Sequence, residues 1–438
     1  MERARVLASI TLSSFVMPYL GNAINVAALA MSLSLGVPVA SVGFLQLLLT
    51  LATASAVVPL GRLADVSGRP KVYRAGLALM ALASALALLP LSYFALALIL
   101  AVLGIGAAAV YGSNYAILVS AYPPGERGRA IGINTLAVYI GLTSGPVIGG
   151  ILASANWRYI FLISLLFSTS SLVMALDIGG DRAAREPFDA VGAVLFSIGV
   201  LFSMLGTAVS PFIGLLGIAL LAAFGAYEAT RPIPLIDPRL FKRLRFTAAV
   251  LASLLNYMAT FAVTFMLGLY LEKLRGLPSS YAGMLLLPQP AMMAALSPLS
   301  GWLSDLVEPG VISSAGMALA TVALAAMSTL GPSTSLSTLE IELALLGVGF
   351  ALFISPNTNI IMSSAEPRHR GVASAVVATA RLVGQSLSMA IAVYILSHEG
   401  GFGAVQTSMA IYSIISLIAS ILSLLRISGP RTFKRGRR

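Results

Sequence analysis

Long apolar stretches, separated by short polar turns, recur along the whole chain and restrict what it can fold into. Of its 438 residues, 58% are hydrophobic and only 10% are charged, against about 25% charged in soluble domains. A stretch of about 18 apolar residues can cross a bilayer as a helix. Because lipid offers the backbone no hydrogen bonds, and because these stretches do not alternate with polar residues, the sequence predicts an all-α integral membrane protein rather than a barrel.

Charged residues, Gly and Pro divide the chain into fourteen apolar segments, which are predicted to be transmembrane helices. These spans, numbered 1 to 14 in chain order, cover approximately residues 6–34, 39–60, 72–90, 93–119, 130–154, 158–178, 189–209, 211–228, 246–271, 280–303, 310–330, 339–363, 371–397 and 404–426. An even number of spans places both ends of the chain on one side of the membrane.

The basic residues indicate which side that is. Nearly all of the 27 Lys and Arg fall on the side that holds both ends, while Arg158, Lys273 and Arg275 fall on the other. Cytoplasmic loops are enriched in Lys and Arg, so both ends are predicted to be cytoplasmic in a multi-pass plasma-membrane protein. The net charge of +11 then reflects topology. The basic tail, residues 427–438, is predicted to contact anionic lipid headgroups rather than nucleic acid.

A charged turn after span 2, Gly61-Arg-Leu-Ala-Asp-Val-Ser-Gly-Arg-Pro-Lys71, has a fainter copy after span 10, Gly301-Trp-Leu-Ser-Asp305. A second pair, Glu126-Arg-Gly-Arg-Ala130 and Arg370-Gly-Val-Ala373, repeats at nearly the same offset of about 240 residues. Internal duplication of this kind is typical of transporters. Six spans need about 180 residues at about 30 per span, so two further helices are predicted between the halves.

The predicted organisation is two six-helix bundles related by pseudo-symmetry, with a helix pair inserted between them. Its parts are an N-terminal bundle (1–180), the inserted pair formed by spans 7 and 8 (181–230), a cytoplasmic linker (231–245), a C-terminal bundle (246–426) and the basic cytoplasmic tail (427–438).

These motifs resemble the major facilitator superfamily, and specifically its fourteen-span drug:proton antiporter branch. The turn from Gly61 to Lys71 is similar to the superfamily's signature loop between spans 2 and 3. Four further matches carry the resemblance: Gly141-Leu-Thr-Ser-Gly-Pro-Val-Ile-Gly-Gly150, Asn156-Trp-Arg-Tyr-Ile-Phe161, the flanks of the inserted pair at Phe188-Asp-Ala-Val-Gly192 and Pro234-Leu-Ile-Asp-Pro-Arg-Leu-Phe241, and Ser355-Pro-Asn-Thr-Asn359.

The resemblance implies a secondary active transporter that exports small, lipophilic molecules by alternating access, in the manner of multidrug efflux, with the proton as coupling ion. A facilitator or importer of a small organic solute, including an anionic one, is the alternative on the same fold. Two stretches depart from the family pattern. Leu20-Gly-Asn-Ala-Ile-Asn25 in span 1 lacks the acid, and Leu98-Ile-Leu-Ala-Val-Leu-Gly104 in span 4 lacks the arginine, that many members carry for proton coupling or cation binding.

The charged turn is predicted to act in gating. The carboxylate of Asp65 can pair with Arg69 or Arg129, of which Arg129 is the preferred partner, or cap a helix of the other half. Asp305 with Arg368 or Arg370 is the corresponding pair in the second half. The alternative is that these are loop charges that obey topology. The full gating set is Gly61, Asp65, Gly68, Arg69, Arg127, Arg129, Asp305, Arg368 and Arg370.

Glycines recur every four residues in span 5. Gly141, Gly145 and Gly149 therefore share one helix face, where they permit close backbone approach. Pro146 removes a helix hydrogen bond and can bend the helix beside this face. Together with Gly150, these residues are predicted to pack a hinge helix between the halves, or alternatively to form an ordinary glycine-rich packing face.

Polar residues inside the spans are costly in lipid and are candidates for a central substrate cavity. They are Asn22, Asn25, Asn114, Tyr115, Asn256, Tyr257, Gln289, Asn357, Arg381 and Gln385, with Gln46, Asn134 and Asn359 as further candidates. Each amide could instead bridge neighbouring helices. Arg381 lies about 15 Å into span 13, with no acidic residue at that depth. It is predicted to meet helix carbonyls, or to face a wet cavity and attract an anionic or electron-rich substrate.

Other functions find little support in the sequence. It has no cysteine and only two histidines, which are far apart, so neither a metal site nor a cofactor is predicted. No phosphate-binding Gly-x-x-x-x-Gly-Lys-Ser/Thr loop occurs, so ATP is not predicted to drive transport directly. No cluster of acid–base or metal-binding residues appears at one depth, so the chain is predicted not to be an enzyme. The expected partners are a small-molecule substrate, the proton and membrane lipid, and the expected state is monomeric.

Overall fold

The computed structural model of the chain describes residues 2–123, 127–179, 188–208, 210–231, 241–364 and 370–424. Every regular element within these residues is helical, which confirms the all-α prediction. The helices are α1 Glu2–Leu35, α2 Val39–Ser67, α3 Arg69–Ala87, α4 Tyr93–Ala121, α5 Arg127–Asn156, α6 Ile160–Ala175, α7 Ala190–Ala208, α8 Pro211–Ala229, α9 Leu244–Thr260, α10 Val263–Leu269, α11 Ser279–Leu285, α12 Pro288–Leu306, α13 Pro309–Met327, α14 Leu336–Ser364, α15 Arg370–His398 and α16 Gly401–Leu424.

Two of the predicted spans are not single helices. Span 9 is divided into α9 and α10, and the backbone N–H of Ala262 at the break donates to Ser388 Oγ of α15 at 2.9 Å. A π turn, Tyr270–Leu274, then extends α10. Span 10 is divided into α11 and α12 just before Pro288, whose ring supplies no N–H to continue the helix.

Eleven segments of the described residues are long and apolar enough to cross a membrane. One of them, Leu136–Ala175, contains most of α5 together with α6, and α7 is shorter than the rest. The prediction of a multi-pass membrane protein is thereby confirmed, whereas the figure of fourteen spans stays a prediction. Most of the predicted linker and the basic tail lie outside the described residues.

The helix pairings of α1–α6 recur in α9–α16. In the first half α1 packs on α5 and α6, α2 on α4, and α3 on α4 and α6; in the second half α9 packs on α15 and α16, α12 on α14, and α13 on α14 and α16. Even a close glycine contact is repeated. A Cβ added to Gly76 would lie 2.7 Å from the carbonyl oxygen of Gly106, and one added to Gly316 would lie 2.6 Å from that of Gly349. The structure therefore carries the internal repeat that the charged turns predict.

The two ends of the bundle can be told apart by following the chain. The start of α2 packs on the end of α15, where a Cβ on Gly43 would lie 2.8 Å from Val393 Cγ2. The start of α1 and the end of α16 must then lie together at the other end. We call that end, where Glu2 and Leu424 lie, the terminal end, and the end that holds Gly43 the opposite end.

The α7–α8 pair packs against both halves. The two helices approach closely, since a Cβ on Gly214 would lie 3.3 Å from Gly206 Cα. The hydroxyl of Ser197 donates to the carbonyl of Ser55 on α2 at 2.9 Å. Phe196 also belongs to an apolar cluster that includes side chains of α2, α8 and α15.

Helix α5 packs against α1 along its glycines. A Cβ on Gly145 would lie 2.7 Å from Asn22 Cβ and 2.8 Å from the carbonyl oxygen of Tyr19, while one on Gly149 would lie 2.6 Å from Ala23 Cα. Gly141 meets the same helix at the carbonyl of Phe15, 2.6 Å from an added Cβ. These three glycines therefore hold α1 and α5 in direct backbone contact.

The same helix also contacts the second half. An added Cβ on Gly150 would collide with the carbonyl of Ser279, and one on Gly283 would collide with that of Pro146. Helix α5 thus contacts α1 of its own half and α11 of the other half through separate small residues.

We expect Gly145→Ala to lower the melting temperature of the purified protein in detergent, because the added methyl group overpacks the α1–α5 contact at a cost of about 1–3 kcal/mol. Gly225→Ala is the matched control, since an added Cβ at Gly225 of α8 meets nothing within 4 Å and alanine favours a helix. Thermal unfolding followed by size exclusion measures both variants. Equal melting temperatures for the two would contradict the packing argument.

Candidate functional site

The halves meet tightly at the opposite end of the bundle. Gly43 lies against Val393, and the α5–α11 contact at Gly150 and Ser279 closes a second side. A small cavity of about 170 Å³ lies at this end, lined mainly by residues 38–40 of the first half and by residues 269–274 and 396–405 of the second. This end is closed.

The described polar contacts at the terminal end each stay within one half. In the first half Arg5 pairs with Asp177, and the hydroxyl of Tyr122 donates to the carbonyl of Arg3 at 3.0 Å. In the second half, Arg245 Nη2 lies 2.7 Å from Glu308 Oε1.

Arg381 of α15 lies in the middle of the bundle. The Cζ atom of its guanidinium lies 5.7 Å from the ring centroid of Tyr257 on α9. Tyr111 and Tyr115, one turn apart on α4, are close enough to act on its charge. Its Nε atom is buried without a described hydrogen-bond partner, and no described carboxylate lies within 4 Å of the guanidinium. The charge therefore faces aromatic rings rather than an acid.

A fourth tyrosine completes this arrangement. Tyr139 of α5 lies close enough to Tyr257 and Arg381 to interact with them electrostatically, and its hydroxyl lies near Ser297 of α12. The hydroxyl of Ser297 donates to the carbonyl of Met293 at 2.6 Å. We call Tyr111, Tyr115, Tyr139 and Tyr257 the tyrosine collar.

The collar draws on both halves of the molecule, since α4 and α5 belong to the first half and α9 to the second. The ring of Tyr257 is also held edge to face against Phe350 at 5.4 Å between centroids. Tyr115 and Tyr257 were candidate cavity residues in the sequence, whereas Tyr111, Tyr139 and Ser297 were not. The spacing of Tyr111 and Tyr115, one helical turn apart, is the signal that could have revealed the first of these.

Several predicted cavity amides form hydrogen bonds within the helical framework, as their alternative interpretation proposed. Asn114 Nδ2 donates to Ser14 Oγ of α1 at 3.2 Å, and Asn357 Nδ2 donates to the carbonyl of Ala249 at 3.1 Å. Asn22 Nδ2 donates to the carbonyl of Pro18 on its own helix at 3.0 Å. Gln289 is buried at the start of α12, beside the close approach of Gly347.

Other amides are buried with polar atoms that have no described partner. They are Asn25 Oδ1 and both terminal atoms of Gln46, Asn134 and Asn256. A buried amide without a hydrogen bond costs free energy, so these groups mark positions where water or substrate can bind. Gln385 follows Arg381 by one helical turn and is half-buried, which places its amide on the same side of α15.

The charged turn is a compact joint between α2 and α3. Asp65 Oδ1 accepts from Arg69 Nε at 2.8 Å, and both side chains are partly exposed, Asp65 by 40% and Arg69 by 31%. Gly68 has φ of +105° and its N–H donates to the carbonyl of Ala64, a conformation that side chains disfavour. Gly61 permits close approach to α4, since an added Cβ would lie 3.3 Å from the carbonyl oxygen of Gly112.

The structure pairs Asp65 with Arg69, one of the two partners that the sequence offered, and the pair with Arg129, which the sequence favoured, stays a prediction. The side chains of Arg127 and Arg129, in the first turn of α5, lie outside the description. The same holds for the side chains of Asp305 at the end of α12 and Arg370 at the start of α15, and for Arg368 altogether. The proposed second gate pair is therefore still a prediction.

Comparison with known proteins agrees with this architecture. The sequence model of the Major Facilitator Superfamily matches residues 10–389. The chain belongs to the major facilitator superfamily. Among its relatives, the uncharacterized transporter YebQ of Escherichia coli (strain K12) is 30% identical over 385 residues, covering 84% of both chains. The tetracenomycin C resistance and export protein of Streptomyces glaucescens is 30% identical over 366 residues, covering 80% of this chain and 68% of the relative.

Other similar proteins differ in what their names describe. The riboflavin transporter RibZ of Clostridioides difficile (strain 630) is 26% identical, with 88% of this chain and 86% of the relative covered. A crystal structure of a POT family transporter in complex with a thioalcohol-conjugated peptide superimposes with a TM-score of 0.76 over 97% of this chain and 95% of that chain, at 14% identity. At this identity the superposition supports the fold alone.

We expect Asp65→Asn to reach the membrane normally and to transport at about a tenth of the wild-type rate or less, because the joint between α2 and α3 loses a charge-assisted hydrogen bond of about 1.5–3 kcal/mol. Uptake into vesicles with equal amounts of protein measures this effect. Asp177→Asn is the matched control, since Asp177 forms an ion pair at the same end with both side chains more than half exposed, and such pairs contribute little. Full transport by Asp65→Asn would show that the pair has no gating role.

Proposed function

We propose that this transporter is a secondary active exporter of small, lipophilic molecules, resembling multidrug efflux proteins and working by alternating access. The proposal rests on the contacts that close the opposite end, α5 with α11 and α2 with α15, and on the polar groups of both halves around Arg381. A cleft between the halves is proposed to lead from these groups to the terminal end. Rocking the halves about the glycine contacts of α5 would separate them at the opposite end and bring them together at the terminal end.

The proposed topology places the terminal end in the cytoplasm of the cell membrane, with fourteen spans. Helices α3 and α7 would cross the membrane in addition to the eleven segments that qualify by length and apolarity, and the segment Leu136–Ala175 would cross it twice, as α5 and as α6. Each of α3, α6 and α7 packs beside its neighbours. The excess of Lys and Arg in the turns at this end supports the orientation. In this orientation the proposed cleft faces the cytoplasm, from which an exporter takes its substrate.

The names of relatives support export. The multidrug resistance protein Stp of Mycobacterium tuberculosis (strain ATCC 25618 / H37Rv) and the tetracenomycin protein are both described by resistance. The second candidate, a facilitator or importer of an organic solute, is favoured by the riboflavin transporter among the relatives and by a cleft whose described charge is cationic. The two proposals differ in whether substrate moves against its gradient and in which direction.

Proton antiport needs an acid that can take up a proton, and we propose Glu272 for this role. It lies in the π turn after α10, is 7% exposed, and its Oε1 atom has no described partner. Its side chain interacts with that of Ser279, and the carbonyl of Ser279 packs closely against Gly150 of the other half. A proton on this carboxylate would therefore act beside the contact between α5 and α11 that closes the opposite end.

We expect inverted vesicles that contain the protein to accumulate ethidium or a naphthoate dye when a pH gradient, acidic inside, is imposed, because export from the cytoplasm corresponds to uptake in this orientation. The measurement is dye fluorescence with and without an uncoupler, against vesicles that lack the protein. Accumulation that collapses with the uncoupler supports proton antiport. Equilibration without accumulation would support the facilitator instead.

We expect Glu272→Gln to lose accumulation driven by the pH gradient while it keeps exchange of labelled substrate across the membrane, because a neutral amide can hydrogen-bond but cannot carry the proton. Glu399→Gln is the control, since Glu399 lies at the same end and is exposed. Both activities are measured in the same vesicles. Proton-driven accumulation by Glu272→Gln at the wild-type level would eliminate Glu272 as the coupling group.

A further inference from the structure

We propose that the central cleft binds aromatic organic anions, with the anionic group at Arg381 and the aromatic ring stacked in the tyrosine collar. This inference rests on the proposed function as a transporter and adds the chemical class of its substrate. The site combines a cation without a described counter-ion with four tyrosines, contributed by both halves, that lie close enough to interact with it.

The charge of Arg381 requires an explanation, because a cation near the middle of a bilayer is costly. Acids usually compensate such a charge, yet no described carboxylate lies within 4 Å of its guanidinium. Tyr257 interacts with the guanidinium through its ring at 5.7 Å and through its hydroxyl, but a neutral phenol does not neutralise the charge. The buried Nε atom has no described partner, so the guanidinium retains a donor for a carboxylate or sulfonate.

The collar defines the rest of the ligand. Tyr257 packs edge to face against Phe350, so its ring is ordered before a ligand binds. Tyr115 is 44% exposed, so its ring is accessible. Rigid phenol rings contribute large contact area at low entropic cost, and offset stacking against them favours a planar aromatic group.

The position of these groups also favours an anion over a cation. A cationic aromatic dye would stack on the same rings but would meet the repulsion of Arg381 in a medium of low dielectric constant. An anion would neutralise this charge while it contacts α4, α5 and α9 together with α15. It would thus bind to the two halves at once, which is what a substrate must do to influence their relative position.

The test uses the full-length protein in phosphatidylcholine nanodiscs and two matched probes, 1-hydroxy-2-naphthoate and its neutral amide, 1-hydroxy-2-naphthamide. We expect isothermal titration to show that the wild type binds the acid about tenfold or more tightly than the amide, as a charged hydrogen bond predicts. Arg381→Gln should lose this preference, and Arg381→Lys should retain part of it. Tyr257→Leu should weaken binding of both probes while the preference remains.

The control is Arg158→Gln, since Arg158 also lies over an aromatic ring, 4.4 Å from the centroid of Trp157, but at the opposite end. This variant should bind both probes as the wild type does. Retention of the acid preference in Arg381→Gln, or equal affinity of the wild type for acid and amide, would overturn the inference. The melting temperature of each variant verifies folding, and Arg381→Lys keeps the test decisive if Arg381→Gln does not fold.

Vesicle uptake separates failure of this inference from failure of the proposed function. Accumulation of ethidium without accumulation or binding of the naphthoate would leave the exporter in place and refute the anion site. Binding of the naphthoate that depends on Arg381, without accumulation of either probe under a gradient, would refute active export and support the anion site.

Discussion

Direct backbone contact between helices, made possible by glycine, is the constraint on which this structure depends. Lipid is as apolar as the side chains it surrounds, so burial alone does not hold transmembrane helices together, and close packing of small residues takes its place. Helix α5 illustrates this on two sides, through Gly145 and Gly149 toward α1 and through Gly150 toward α11. The first contact stays within one half, whereas the second joins the halves. The same helix therefore contributes both to its own bundle and to the contact between the halves that would open in the proposed transport cycle.

Within this glycine-packed frame, Arg381 is the feature that packing does not explain. An apolar side chain would fill its place without the cost of a buried charge. Its surroundings compensate the charge only in part, through the tyrosine collar. A site that leaves a guanidinium donor open and surrounds it with ordered phenol rings is better suited to a ligand than to stability. The polar cost is then offset only when substrate is bound.

Much of the architecture could be predicted from the sequence because its causes are local. The apolar runs gave helices with nearly correct ends, as in α4 from Tyr93 to Ala121, and Gly68 marked a turn that requires positive φ. The break of span 9 at Ala262 depends on Ser388, 126 residues away, and no local pattern signals it. Similarly, the tyrosine collar draws residues from three helices, so only Tyr111 and Tyr115, which share one helix, have a spacing that points to a common site. Asp65 illustrates a third case, since Arg69, one turn away, is a local partner that the sequence offers and that the structure places 2.8 Å from Asp65.

The positions of Glu272 and Arg381 determine how coupling between proton and substrate must work in the proposed mechanism. Arg381 lies midway along α15, while Glu272 lies at the opposite end beside Ser279. The two groups lie at different depths in the bundle, so the proton and the anion do not compete directly for one binding site. Coupling must instead arise because each ligand changes the equilibrium between the same two arrangements of the halves, and by linkage each must alter the other's affinity by the same factor. A proton on Glu272, beside the contact between α5 and α11, and an anion that contacts α4, α5, α9 and α15 would both shift this equilibrium, because both act where the first half contacts the second.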